Sequence, residues 1–310
     1  MSRAGFVAFI GAPNAGKSTL VNRLVGSKVS IVTRKVQTTR FPVRGVAIEG
    51  DTQMVLVDTP GIFTPRRRLD RAMIRAAWNG AQDADAVVHL VDAQAHERIL
   101  SGEANSADRL AVRDSEAIAR GLAGGRLQAF LALNKIDLVR KERLLAVTEA
   151  LFNPEIYAEV FMISAQGGAG VADLRRALAA RMPEGPWLYP AEQSADLPAR
   201  LLAAEVTREK LYLRVHEELP YSAAVETTAF EERPDGSVRI EQTIFVEREG
   251  QRAIVLGKGG SALKQIGQSA REELAVILER AVHLFLHVKV MRGWAEDRRL
   301  YGEVGLDFDV

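Results

Sequence analysis

Five apolar runs of five to eight residues punctuate the first 165 positions: FVAFI (6–10), QMVLVD (53–58), AVVHLVDA (86–93), LQAFLALN (127–134) and VFMIS (160–164). Most are too continuously hydrophobic for a strand with one wet face, so they read as strands covered on both sides. Between and after them, residues 17–26, 68–81, 106–122, 141–152 and 171–181 carry apolar positions at helical spacing. Strand and helix in alternation predict an α/β domain, a mostly parallel sheet with helices on both faces. Ligands in such sheets sit at the carboxyl ends of the strands. The stretches GAPNAGKS, DTPG, NKID and SAQ all follow strands.

The alternation stops at MPEGPWLYPAEQSADLP (182–198), where four prolines interrupt any regular element. This predicts a first domain over 1–183, a linker over 184–198, a second domain over 199–292 and a tail over 293–310. The second domain has a different order: a helix at about 199–216, strands at 221–232 and 238–247, a glycine-rich turn GKGG, a helix over 261–280 and a strand at 282–291. That is a smaller α+β domain. The polar stretch 94–112 reads as a loop extension leading into a helix.

At 310 residues, 47% hydrophobic and 26% charged, the chain is ordinary for a globular protein of two domains. It has no cysteine, which excludes disulfides, cysteine-rich zinc sites and thiol catalysis. The first residues are too short an apolar run for a signal peptide, and nothing later reaches membrane-spanning length, so a cytoplasmic protein is expected. The net charge of +1 is uneven: residues 200–310 hold 16 Lys+Arg against 19 Asp+Glu. Any nucleic acid there must meet a local cluster and not a basic field.

Gly11-Ala12-Pro13-Asn14-Ala15-Gly16-Lys17-Ser18, followed by Thr19, has the G-x-x-x-x-G-K-S spacing between a strand and a helix. Its glycines let backbone N–H groups turn inward around phosphate oxygens, at the positive end of the following helix. Lys17 can bridge the outer phosphates, and Ser18 offers a hydroxyl to magnesium. Asn134-Lys135-Ile136-Asp137 separates guanine from adenine. The Asp137 carboxylate can accept from the ring N–H and exocyclic amine of guanine, and adenine would leave it unsatisfied at a cost of about 1–3 kcal/mol. Asn134 can bond the base or tie its loop to the phosphate loop, and the Lys135 stem can lie on the purine. A backbone N–H at Ser164-Ala165 is placed to reach the guanine carbonyl.

With QTTR and DTPG added, the set resembles the Era group of bacterial GTPases. By that resemblance Thr39, rather than its neighbour Thr38, completes magnesium coordination when GTP is bound. Asp58 holds the metal through water, the Gly61 N–H contacts the terminal phosphate, and Thr59, Pro60 and Ile62 complete the segment. Many GTPases carry a water-orienting glutamine where this chain has Ile62, which cannot orient water. The resemblance implies instead that Asn14 helps bind potassium beside the phosphates, which does an arginine's electrostatic work. The competing account is an asparagine chosen for a turn. Asn14, Lys17, Thr39 and Gly61 are thus the expected catalytic set, with GTP/GDP, Mg2+ and K+ as cofactors and slow hydrolysis.

Gly257-Lys258-Gly259-Gly260 fits the G-x-x-G loop that clamps single-stranded RNA in KH domains, and the element order is that of the type 2 KH fold, with AIVLG (253–257) as the short helix entering the loop. Lys258, Lys264 and Arg271 are the expected RNA contacts, Arg252 and Lys289 weaker ones. His283 and His287 lie four residues apart on a strand, roughly 13 Å, too far to share a metal ion, and read as structural, as do Trp187 and Trp294. The resemblance, carried on through GPWLYP, REKLYLRVHEELPYS and VKVMRGWAEDRRL, implies binding near the 3′ end of 16S rRNA and a role in 30S subunit assembly. It also implies a monomer with no DNA partner and at most peripheral contact with the inner membrane. A non-hydrolysing RNA chaperone or scaffold is the alternative. A tRNA-modifying relative would carry a different auxiliary domain and a terminal cysteine.

Overall fold

The computed structural model describes residues 2–33, 35, 38–125, 128–215 and 223–310. They form two compact units. One holds the residues up to Ser30, Thr39–Asp196 and Val310; the other holds Ile31–Thr38 and Leu197–Asp309.

The first unit is built on strands β1 (Arg3–Ile10), β2 (Val43–Glu49), β3 (Thr52–Asp58), β4 (Ala86–Asp92), β5 (Ala129–Asn134), β6 (Tyr157–Met162) and β7 (Ala195–Asp196). They lie in the order β6-β5-β4-β1-β3-β2-β7. The pairs β6/β5, β5/β4, β4/β1 and β1/β3 are parallel; β2 is antiparallel to both β3 and β7. Helices α1 (Lys17–Val25) and α6 (Val171–Arg181) cover one face through Leu20, Leu24, Leu174 and Leu178. On the other face α2 (Arg68–Gln82), α4 (Ser106–Leu122) and α5 (Lys141–Leu151) bury Ala77, Ile118 and Val147. Burial on both faces explains the near-continuous apolar runs.

Three expectations change here. Residues 94–112 are not a loop: α3 (Ala93–Ser101) and the start of α4 occupy them. Both helices are locally specified. Asp92 accepts the N–H groups of Gln94 and Ala95, while Asn105 and Asp108 form a reciprocal capping box. The stretch 184–198 is not a free linker, because Gln53 Oε1 accepts the N–H groups of Leu188 and Tyr189, and β7 extends the sheet. Strand β2 is an additional hairpin partner that the apolar pattern did not single out. No helix among the described residues is long and apolar enough to cross a membrane.

The second unit follows the expected order: α7 (Ala199–Arg214), β8 (Ala223–Glu232), β9 (Val238–Val246), α8 (Glu249–Leu256), α9 (Ser261–Ile277) and β10 (Val282–Val290). Residues 216 and 221–222, at the edges of the expected helix and strand, lie outside the described residues, as do Arg34 and the Gln37 of QTTR. The sheet order is β10-β9-β8, with β9 and β10 parallel. Leu211, Val255, Ile266, Ala270 and Leu274 pack the helices on one face of it. On β10, Val282, Leu284, Leu286 and Val288 turn toward that core, and His283, Phe285, His287 and Lys289 alternate outward and are exposed. The two histidines are therefore surface groups and not packing residues. The tail is structured as well: α10 (Arg298–Glu303) follows a buried Trp294, and Tyr301 and Leu306 are buried.

Candidate functional site

The turn between β1 and α1 is shaped by two left-handed residues, Asn14 (φ 61°) and Gly16 (φ 102°). Gly16 has no alternative: a Cβ there would stand 2.3 Å from Asn134 Nδ2. Asparagine tolerates this backbone, and Asn14 is exposed. Lys17 folds back over the loop, donating to the carbonyls of Gly11 and Ala12 at 3.0 Å each. Burial pushes its ammonium down to about 8 despite the nearby Asp58 carboxylate.

Three oxygens converge beside Lys17. Ser18 Oγ lies 2.7 Å from Asp58 Oδ2 and 2.9 Å from Thr39 Oγ1, and Thr39 Oγ1 lies 3.3 Å from the same Asp58 oxygen. Asp58 is fully buried, and its other oxygen, Oδ1, has no hydrogen-bond partner among the described residues. Burial raises its pKa, opposed by the Ser18 hydroxyl, Lys17 and Thr39. Two hydroxyls and one carboxylate are a hard-oxygen set of the kind magnesium takes with water completing its shell. Thr38 is elsewhere: its hydroxyl meets Thr33 Oγ1 and the Lys35 carbonyl, both at 2.6 Å.

After β3, Thr59 Oγ1 donates to the Phe9 carbonyl at 2.6 Å. Pro60 and Gly61 follow, and the Ile62 N–H donates to the Gly11 carbonyl at 3.1 Å. The Ile62 side chain is buried among Ala8, Ile10 and Ala77. It belongs to the core.

Two loops face the phosphate loop from the ends of β5 and β6. Asn134 ties them together, its Nδ2 donating to the Ala15 carbonyl at 2.7 Å and its Oδ1 accepting the Ala165 N–H at 2.8 Å. Of the two roles open to Asn134, the structure shows the tie. The expectation for Ser164-Ala165 is altered in consequence. The Ala165 N–H is held by Asn134 and the Ser164 N–H by the Ala169 carbonyl, so neither is turned out for a base. Lys135 takes a left-handed backbone (φ 66°), and its ammonium meets Asp92 Oδ2 at 2.5 Å. Asp137 is exposed at the rim. Two supports had no motif to mark them: Asp92, which caps α3 and holds Lys135, and Arg23 on α1, which donates to the carbonyls of Ala165 and Gln166.

In the second unit, Gly257 (φ 69°) ends α8, where a Cβ would stand 2.9 Å from the backbone nitrogen of Ala262. Gly260 begins α9 in a left-handed backbone with no side-chain cap, so no side chain of its own satisfies the first-turn N–H groups of that helix. Lys258, Lys264 and Arg271 are exposed along the loop and helix. Arg252 is paired with Glu249 at 3.3 Å, and Lys289 points outward from β10. Among the described residues no cluster of three or more His, Cys, Asp or Glu is arranged to hold a metal ion.

A family model described as a 50S ribosome-binding GTPase matches residues 6–120, and one described as a KH domain matches residues 218–295. The chain is 68% identical over 309 residues to the GTPase Era of Caulobacter vibrioides (strain NA1000 / CB15N), covering 100% of this chain and 98% of that protein. The chain belongs to the Era family of GTPases. The Era of Maricaulis maris (strain MCS10) is 58% identical over 308 residues, covering 99% of this chain and 98% of that one. Two solved Era structures superpose with a TM-score of 0.88 over 98% of this chain and 99% of theirs. One is a tyrosine-to-alanine variant of the Aquifex aeolicus protein bound to GDP.AlF4-, at 35% identity, and the other an Era complex with MgGDPNP and nucleotides 1506–1542 of 16S ribosomal RNA, at 34%. The first unit is therefore the family's GTPase domain, and the KH model falls within the second.

Proposed function

We propose that the chain hydrolyses GTP at the phosphate loop with magnesium held by Ser18, Thr39 and, through water, Asp58, and that its KH domain binds single-stranded RNA near the 3′ end of 16S rRNA during small-subunit assembly. The observation that carries the nucleotide half is the convergence of these three oxygens beside a buried lysine, with Asp58 Oδ1 unpartnered. Lys17 exchanges its two loop carbonyls for outer phosphate oxygens, the Gly61 N–H meets the terminal phosphate, and Asp137 accepts from guanine. Asn134 keeps both loops in register, and Ser164 and Ala165 shape the base pocket through it. Bound magnesium would neutralise phosphate charge as it spreads in the transition state, and potassium at Asn14 would add to that compensation. Ile62 takes no part in placing water, which falls to backbone groups or bound solvent.

The RNA half rests on the GxxG geometry, the three exposed cations beside it, and the relative solved with 16S ribosomal RNA. Gly257→Asp combined with Lys258→Asp places two carboxylates where RNA phosphates would lie, and crosslinking to 16S rRNA 3′ sequence should be lost. Phosphate release is the test of the nucleotide half. Turnover should need Mg2+, run faster in K+ than in Na+, and lose that preference in Asn14→Asp. Equal turnover in the two salts removes the potassium site, and no single-turnover release with or without small subunits removes hydrolysis in favour of a scaffold.

A further inference from the structure

Residues Ile31–Thr38, which run up to Thr39, belong to the second unit, and α7 holds them there. Helix α7 is buried without a break from Ala203 to Glu209, and that run includes three charged side chains: Glu205 (8% exposed), Arg208 (2%) and Glu209 (3%). Burying a charge is costly unless it is paired and hydrogen-bonded, and part of the pairing here is spent on main-chain atoms of 31–38. Arg208 donates to both Glu205 oxygens and, through Nη2, to the Thr38 carbonyl, with its guanidinium 5.0 Å over the Tyr212 ring. Glu209 Oε1 accepts the Val32 N–H at 2.8 Å, while its Oε2 takes Lys210, which also meets Glu273 of α9. Both ends of the segment are therefore held, one at a donor and one at an acceptor.

The hold on Thr38 passes covalently to its neighbour. The Thr38 carbonyl and the Thr39 nitrogen and Cα share one planar peptide unit, so fixing that oxygen restricts where Thr39 begins. Thr39 Oγ1 then lies 2.9 Å from Ser18 Oγ and 3.3 Å from Asp58 Oδ2. We infer that Arg208 and Glu209 are positioning residues for GTP hydrolysis, holding 31–38 so that the Thr39 hydroxyl is presented at the metal-binding oxygens. The inference rests on the reading of Thr39 as a metal ligand.

The experiment uses the full chain, with Arg208→Lys, Glu209→Ala, Glu209→Gln and Thr39→Ala. Lysine keeps the charge beside Glu205 but lacks the fork that reaches Thr38 at the same time, alanine at 209 removes the acceptor for Val32, and glutamine at 209 keeps an acceptor oxygen. The half-saturating Mg2+ for binding a non-hydrolysable fluorescent GTP analogue is measured together with kcat, KM and amide exchange in peptides covering 31–40. Arg208→Lys and Glu209→Ala should each raise half-saturating Mg2+ about tenfold, the size of one lost hydrogen bond to a charged group. Both should lower kcat at fixed Mg2+ and speed exchange at 31–40, with GDP affinity in EDTA unchanged. Glu209→Gln should stay near the parent. Wild-type Mg2+ dependence and exchange in Glu209→Ala, alongside an impaired Thr39→Ala, overturn the inference alone. An unimpaired Thr39→Ala overturns the reading of Thr39 and the inference with it. If Arg208→Lys fails to fold, Glu209→Ala and Glu209→Gln decide.

Discussion

Asn134 and Gly16 should be energetically coupled, and the structure says by how much. Asn134 is 3% exposed and makes two side-chain hydrogen bonds, to the Ala15 carbonyl and from the Ala165 N–H. Replacing it with alanine removes both, at about 1 kcal/mol net each, and strands their buried partners, so Asn134→Ala should cost roughly 2–4 kcal/mol. Gly16→Ala has two costs. A residue with a Cβ at φ 102° pays about 1–2 kcal/mol, and that Cβ would stand 2.3 Å from Asn134 Nδ2, forcing the amide off Ala15 for a further ~1–2 kcal/mol. The second cost vanishes once residue 134 is alanine. The double variant should therefore be less destabilised than the sum of the singles by about 1–2 kcal/mol.

Urea unfolding of the full chain measures this if the signal comes from the first unit. In a Trp294→Phe background the remaining tryptophans, Trp78 and Trp187, both lie in that unit. Four proteins close the cycle, and the slope of free energy on urea should match among them. A coupling energy within about 0.5 kcal/mol of zero is ordinary additivity. It would mean that the amide of Asn134 does not occupy the place that makes Gly16 obligatory, and the proposed link between base loop and phosphate loop would fall.

Ile62→Gln should not raise hydrolysis, because the side chain is buried in the core; it should cost about 1–3 kcal/mol for a polar group placed there, and a tenfold rise in phosphate release would contradict this. Lys17, pushed down to about 8 in the nucleotide-free protein, regains its ordinary basicity against phosphate, so GTP binding should take up a proton near pH 8.5 and almost none at pH 6.5. Calorimetry in buffers of different ionisation enthalpy reads the uptake, and equal values at the two pH values refute it. His89 is buried against Tyr157 and Ser115, with His96 and Lys17 nearby, and burial followed by those two cations pushes it from its ordinary 6.5 to about 3. Between those values the unfolded chain holds the proton and the native chain does not, so stability falls as pH drops below 6.5, by about 2 kcal/mol at pH 5. His89→Gln should flatten the slope between pH 7 and pH 5, and an unchanged slope assigns it to other groups.

Some of the site could be read directly because its chemistry fixes spacing within a few residues. A loop that wraps phosphate must return to a helix within its own length, which is why Gly11 to Ser18 and Asn134 to Asp137 could be placed on strand ends without a structure. The helices over 94–112 failed for the opposite reason. Their surfaces are polar, with Leu100 and Leu110 about half exposed, so the periodic signal was weak; what marked them was capping, by Asp92 and by Asn105 with Asp108. The amides of Ser164 and Ala165 were misjudged because their acceptors, Ala169 and Asn134, are selected by tertiary contact.

The charges of α7 present the hardest case. Glu205, Arg208 and Glu209 stand at i, i+3 and i+4, the spacing of one helix face, and a charged face is ordinarily solvated. Here the same face is buried, and part of what compensates it is the main chain of residues about 170 positions away. Local pattern cannot distinguish a wet charged face from one that holds a distant backbone, since the difference lies in the partner. The two do differ in substitution chemistry. A wet face accepts lysine for arginine and alanine for glutamate with little change, whereas a face that grips one carbonyl and one N–H needs a forked donor at 208 and an acceptor oxygen at 209. That requirement is why Glu209→Gln should be tolerated where Glu209→Ala is not.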